Sequence, residues 1–171
     1  MIKRIVCFLC TLMICLGMFQ MECAAGVIEP ARSCSLTLSY ARNGKGFSDL
    51  QIDIYRVAEL SSDGQYKLLE PFSNYPINIY GITSQQQWQD IAETIRSYIA
   101  ANQIEAYQSQ KTDKDGYVSF GELETGLYMV KGTKAQNDNT VYMFRDFMVY
   151  LPTPVDGDYD YDVEAKPKYT E

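Results

Sequence analysis

Alternation of apolar and polar side chains at every second residue, cut by glycine-containing turn dipeptides, most narrows what this chain can fold into. Leu36 and Leu38 alternate with Thr37 and Ser39, and Leu50, Ile52 and Ile54 alternate with Gln51, Asp53 and Tyr55. Successive side chains on a strand point to opposite faces, so such runs predict strands with one face in a core. Asn43-Gly44 and Asp63-Gly64 supply residues that tolerate positive φ, and the first runs read as a meander. Further strands are predicted at residues 117–120, 127–131, 141–151 and 159–165. In the third of these, Phe147, Val149 and Leu151 alternate with Met148 and Tyr150, as in a half-buried strand.

One segment, residues 84–101, breaks the pattern. Trp88, Ile91, Ala92, Ile95, Tyr98 and Ile99 recur at three- and four-residue spacing, the apolar stripe of an α-helix. Ser84 with Gln87 predicts a capping box and Asn102 a stop. Trp88 is expected to anchor this helix to a sheet. About seven strands and one inserted helix make the fold class mainly β, an antiparallel β-sandwich.

The first 25 residues do not belong to that fold. Lys3 and Arg4 precede an apolar run ending in Cys23, Ala24 and Ala25, the order of a secretory signal peptide, with cleavage expected after Ala25. Glu22 stands where a lipoprotein signal needs a small residue, so a lipid on Cys23 is not expected. Four of the five cysteines leave with the leader. Cys34 alone remains and closes no intramolecular bridge, so the mature chain must hold itself by burial. Its length suits one domain at 34–168, after a linker at 26–33 and before a tail at 169–171. Loss of the leader leaves 13 basic against 21 acidic residues, a net charge of −8, which repels phosphate backbones and argues against a nucleic-acid partner.

Little in the composition supports an enzyme. The chain has no histidine, hence neither the commonest general base nor an imidazole ligand. Cys34 lacks a base to activate it, and phosphate loops, paired-cysteine zinc spacings and nucleophile elbows do not occur. Residues 111–122 match a calcium loop in part, with Asp113, Asp115, Gly116, Ser119 and Glu122 in place. Lys111 occupies the first ligand position, so a hairpin turn at Asp115-Gly116 is expected instead. Asp156, Asp158, Asp160 and Asp162 alternate with glycine and tyrosine. On a solvated strand such carboxylates discourage edge pairing, and a hydrolase built on Asp158 and Asp160 would need a cleft holding them at glycosidase separation. No metal and no cofactor is expected.

Several segments then occur in a telling order. Ser35-Leu-Thr-Leu-Ser39 opens, Ile54-Tyr-Arg-Val-Ala58 precedes Asp63-Gly64, and the helix with Trp88 and Tyr98 follows. Next come Thr112-Asp-Lys-Asp-Gly-Tyr-Val-Ser-Phe120, Leu123-Glu-Thr-Gly-Leu-Tyr-Met-Val130, Phe147-Met-Val-Tyr-Leu-Pro152 and Tyr161-Asp-Val-Glu-Ala-Lys-Pro-Lys168. In this order the chain resembles the N-terminal domain of Gram-positive pilin subunits and related wall-anchored proteins with Cna-B-type, immunoglobulin-like folds. The resemblance covers nearly the whole mature chain.

The resemblance implies a secreted structural or adhesive protein at a bacterial surface or wall. Its partners would be other pilin or surface subunits, a sortase, and host or cell-surface ligands. A sortase joins the lysine of a Tyr-Pro-Lys-type motif to the threonine of a neighbour's sorting signal. Here the motif reads Lys166-Pro167-Lys168, making Lys168 the first candidate acceptor and Lys166 the second. Tyr40 stands near the place of the lysine, and Gly132 near that of the glutamate, of the internal isopeptide found in many relatives, so none is expected. Leu151-Pro-Thr-Pro-Val155 lacks the threonine-glycine pair that a sortase cleaves, and the expectation is a truncated product or a released relative. A second reading is a secreted module binding sugar or peptide, since fourteen tyrosines offer rigid contact area with polar tips.

Overall fold

A computed structural model describes residues 26–61, 63–137 and 139–171, and the expected leader lies outside the described residues. Fifteen short strands and one α-helix occur in the order β1 (Cys34–Ser39), β2 (Ala41–Arg42), β3 (Lys45–Gly46), β4 (Gln51–Leu60), β5 (Tyr66–Leu68), α1 (Gln85–Asn102), β6 (Gln108–Lys111), β7 (Tyr117–Leu123), β8 (Gly126–Val130), β9 (Lys134–Asn137), β10 (Thr140–Phe144), β11 (Phe147–Leu151), β12 (Thr153–Val155), β13 (Asp158–Asp160), β14 (Asp162–Ala165) and β15 (Tyr169–Thr170).

Two sheets face each other. One has the order β14-β1-β7; the other runs β11-β8-β4-β5, with β6 pairing β4 beside β5. Leu36 and Leu38 from the first sheet meet Ile52, Ile54, Tyr128 and Val130 from the second in one buried cluster, as the alternation predicts. The architecture is the expected immunoglobulin-like sandwich. Its pairs are antiparallel except that β1 lies parallel to β14, with Leu36 opposite Val163.

The helix forms where expected. Ser84 caps it, its side chain accepting from the Gln87 backbone N–H in a full capping box, and the turn ends with Gln103 in the left-handed region, one residue beyond the expected stop. Ile95 and Ile99 pack with Tyr55, Val57 and Met129 on the outer face of the larger sheet, and burying each isoleucine contributes about 2 to 3 kcal/mol. Trp88 sits edge-on to Tyr150 of β11, ring centroids 5.4 Å apart, anchoring helix to sheet. This third layer is why β8 is buried at every position, while β11 at the sheet edge is only partly buried except at Leu151.

Three local expectations are corrected. The opening runs are a meander only in part: β4 turns at Asp63-Gly64 to pair β5, but β1 joins β7 and β14 in the other sheet, because its apolar face is opposed to that of β4 across the core. The Asp115-Gly116 turn is not a hairpin between paired strands, since β6 pairs β4 and β7 pairs β1, so it carries the chain from one sheet to the other. Residues 141–151 are not one strand. The run breaks at Arg145-Asp146 into β10, which pairs β9 and β15, and β11, which pairs β8.

Both ends of the described chain make contacts with the sandwich. The Glu29 N–H donates to the Tyr161 hydroxyl at 2.7 Å, Thr125 Oγ1 donates to the Pro30 carbonyl at 3.0 Å, and Arg32 lies 4.1 Å over the Tyr161 ring. Tyr169 and Thr170 form β15 against β10, with Tyr169 opposite Phe144.

Candidate functional site

Lys166, Pro167 and Lys168 form the crossover that leaves β14 of the three-stranded β14-β1-β7 sheet and enters β15. Pro167 is buried and both lysines are exposed, so the proline pins the segment while the amines project outward. The Arg145 N–H donates to the Lys168 carbonyl at 3.0 Å. That bond continues the β10–β15 register by one residue and ties the Lys168 backbone to the end of β10.

The crossover forms one wall of a groove of about 520 Å³. Gln85 and Gln89 of α1 form the opposite wall, and Phe147, Met148 and Pro167 give it an apolar floor. Arg145, Lys166 and Lys168 stand on its rim, and among the described residues no carboxylate pairs with any of the three. A second groove of about 430 Å³, lined by Trp88, Ser84 and Thr83, continues along the helix, sharing Gln85 and Gln89.

Asp146 holds this region in shape. Its side chain is 4% exposed; Oδ1 accepts the Gly132 N–H at 2.6 Å and Oδ2 accepts Arg96 Nη1 at 3.0 Å. One carboxylate therefore ties the β10–β11 break to the β8–β9 loop and to the helix. A buried charge is tolerated only with such partners. Sequence reading placed Asp146 inside a strand and missed this role. The signal was there: Arg145-Asp146 interrupts an otherwise apolar run, and a charged pair inside a buried strand marks a break.

The other singled-out residues lie elsewhere. Tyr40 is buried against Phe144, centroids 4.8 Å apart, and burial pushes its hydroxyl above the ordinary tyrosine range. Gly132 lies so close to the Phe144 carbonyl that a Cβ there would clash. Asp113 spends its carboxylate on its own turn, accepting the N–H groups of Asp115 at 2.9 Å and Tyr117 at 2.8 Å. Asp156 and Asp158 flank the β12–β13 hairpin, Asp160 Oδ1 accepts the Asp162 N–H, and Asp162 accepts from the Ser35 hydroxyl. Among the described residues no group of three or more acidic or cysteine side chains is placed to hold a metal ion. The tyrosines do not gather at one concavity: Tyr75 pairs with Tyr98, Tyr66 with Tyr150, and Tyr142 with Tyr169. Cys34 is buried, and burial first, with Asp162 adding and Arg32 opposing, pushes its thiol up to about 11. No described helix is long and apolar enough to cross a membrane.

No protein-family model matches the sequence, and a search of curated protein sequences finds no match. Solved structures do match. The full-length major pilin SpaD from Corynebacterium diphtheriae superposes with a TM-score of 0.50 at 21% identity, over 84% of this chain and 31% of that one. The T6 backbone pilin of serotype M6 Streptococcus pyogenes, described as a modular three-domain protein, gives 0.51 at 12% identity, over 84% of this chain and 29% of that one. This chain thus spans about a third of the length of each pilin. The likeness is one of fold: the chain has the sandwich found in Gram-positive pilin subunits.

Proposed function

We propose that this protein is a structural or adhesive subunit displayed at a bacterial surface, not an enzyme, and that Lys168 is the amine through which a sortase joins it to another subunit. The observation that carries this is the placement of Lys168. Lys168 is exposed, its carbonyl accepts the Arg145 N–H beside the β10–β15 ladder, and it lines a groove with apolar residues, in a chain whose fold matches pilin subunits over 84% of its length.

The chemistry asks little of the subunit itself. A lysine amine must be reachable, lose a proton in the sortase site and attack the threonine carbonyl carbon. The N–C bond forms as the bond between sortase and that carbonyl breaks, and the proton leaves the amine. Lys166 is exposed on the same crossover but precedes the buried proline, so it is the second choice. In the cell that makes the protein, Lys168→Ala should remove covalent high-mass forms from envelope extracts while Lys166→Ala keeps them. Persistence of the ladder in both variants would sink the assignment.

A further inference from the structure

We propose that the acidic β12–β13 hairpin is a binding site for this chain's own mature amino terminus. Once the leader is cut after Ala25, the new α-ammonium of Gly26 sits on the Gly157 carbonyl and the Asp158 carboxylate. The inference rests on removal of the leader at that bond, and not on the acceptor role of Lys168.

The chain meets this hairpin at one residue. The Gly26 N–H donates to the Gly157 carbonyl at 2.8 Å. A Cβ built on Gly26 would overlap Asp158 Oδ1 and lie 2.9 Å from the Asp158 Cα, so any larger residue would have to displace Asp158. The Gly26 nitrogen is two bonds from that point, which places it within about 5 Å of the carboxylate. The sequence has this glycine directly after Ala24-Ala25, where cleavage is expected. The residues that follow are tied down too, through Glu29 to Tyr161 and Pro30 to Thr125, so Gly26 is held at the head of a series of contacts.

The hairpin suits a cation and has none. Val155 pairs with Asp158 across a two-residue turn in which Asp156 and Gly157 have φ of +47° and +86°, the left-handed pair of a type I′ turn. Asp158 Oδ1 accepts the Tyr159 N–H at 2.8 Å, which fixes the carboxylate beside Gly26. Asp156, Asp158, Asp160 and Asp162 are all exposed, and no lysine or arginine occurs between Arg145 and Lys166. Among the described residues no cationic side chain pairs with any of the four. Arg32, the basic residue next in sequence after Gly26, lies 3.9 Å from Glu29.

Cleavage supplies the missing charge. A leader peptidase adds water across the Ala25–Gly26 amide. The water oxygen goes to the Ala25 carbonyl carbon, the C–N bond breaks, and both protons end on nitrogen, leaving a carboxylate and an ammonium near neutral pH. One N–H of the ammonium keeps the Gly157 bond while its charge faces Asp158, and a charge-assisted contact is stronger than the amide contact of the precursor. A cut one residue earlier would carry the charge past the carboxylate, and a cut one residue later would remove Gly26. The hairpin thus reads where the leader is cut.

The test uses the protein purified from the cells that export it, so sortase does not enter. Sequencing from the amino terminus should read Gly-Val-Ile-Glu. With glycine labelled by carbon-13, NMR titration of the Gly26 Cα from about pH 6 to 10 follows the amine. The folded protein should hold that proton at least about threefold more tightly than the same protein unfolded in urea. Asp158→Asn should abolish the difference. Roughly 1 M salt should weaken it, and serves as the comparison if the variant fails to fold. A different first residue, an amine that titrates alike in folded and unfolded protein, or a tighter hold that survives both Asp158→Asn and high salt would each overturn the proposal.

Discussion

Replacing Asp146 tests whether one carboxylate holds the groove region together. In Asp146→Ala the Gly132 N–H loses a charge-assisted bond of 2.6 Å, a loss of about 1.5 to 3 kcal/mol. Arg96 loses its partner too, but its side chain is 50% exposed and can turn to water, so that share is under about 1 kcal/mol. The expected destabilisation is therefore about 2 to 3 kcal/mol, with Asp146→Asn near 1 because an amide oxygen still accepts from Gly132, and Arg96→Ala at about 1 to 2 because it leaves the buried carboxylate with the Gly132 N–H alone. Urea unfolding followed by fluorescence suits the question, since Trp88 is the only tryptophan and lies against Tyr150 of the neighbouring strand. The midpoint should shift with little change in slope. An Asp146→Ala protein within about 0.5 kcal/mol of wild type, or an Arg96→Ala protein equally destabilised, would refute this reasoning.

Other positions give separate checks. Asp53 feels burial, which raises its pKa, but bonds from Ser109, Gln51 and Lys131 outweigh this and hold its carboxyl below the usual range. Its folded pKa is depressed, so its stabilisation is present above about pH 4 and is lost as pH falls further; Asp53→Asn should flatten acid unfolding between about pH 5 and 2. Cys34, with its thiol pushed up to about 11, should resist alkylation at pH 8 in the native protein and react promptly in urea, and fast native labelling would contradict its burial. Gly116 has φ of +82° and lies against the Tyr40 carbonyl, so Gly116→Ala should cost at least about 2 kcal/mol by thermal or urea unfolding.

What the sequence made legible was local. The capping box at Ser84, the apolar stripe from Trp88 to Ile99, and the alternation of Leu36, Leu38, Ile52 and Ile54 each depend on near neighbours, and each appears in the structure. Partner choice between strands was less legible, because alternation shows that a strand has a core face without showing which sheet it joins. Hence β1 and β4 looked consecutive in one sheet. The break at Arg145-Asp146 depends on Arg96 and Gly132, 50 and 14 residues away, and no periodicity reports such a bond. Strands β6 and β9 went unseen because Gln108–Lys111 and Lys134–Asn137 are polar and hold their places through backbone pairing. At the candidate site, Pro167 between two lysines was readable. The groove was not, since its helix wall comes from a segment about 80 residues distant and its floor from one about 20 residues distant.

The acceptor role comes down to one bond on one amine, and peptide mass spectrometry of the native protein released from the cell envelope reads it directly. The expected product is a branched peptide with a threonine carbonyl joined to Lys168 Nζ. Recovery of only free protein with unmodified Lys168 would contradict it.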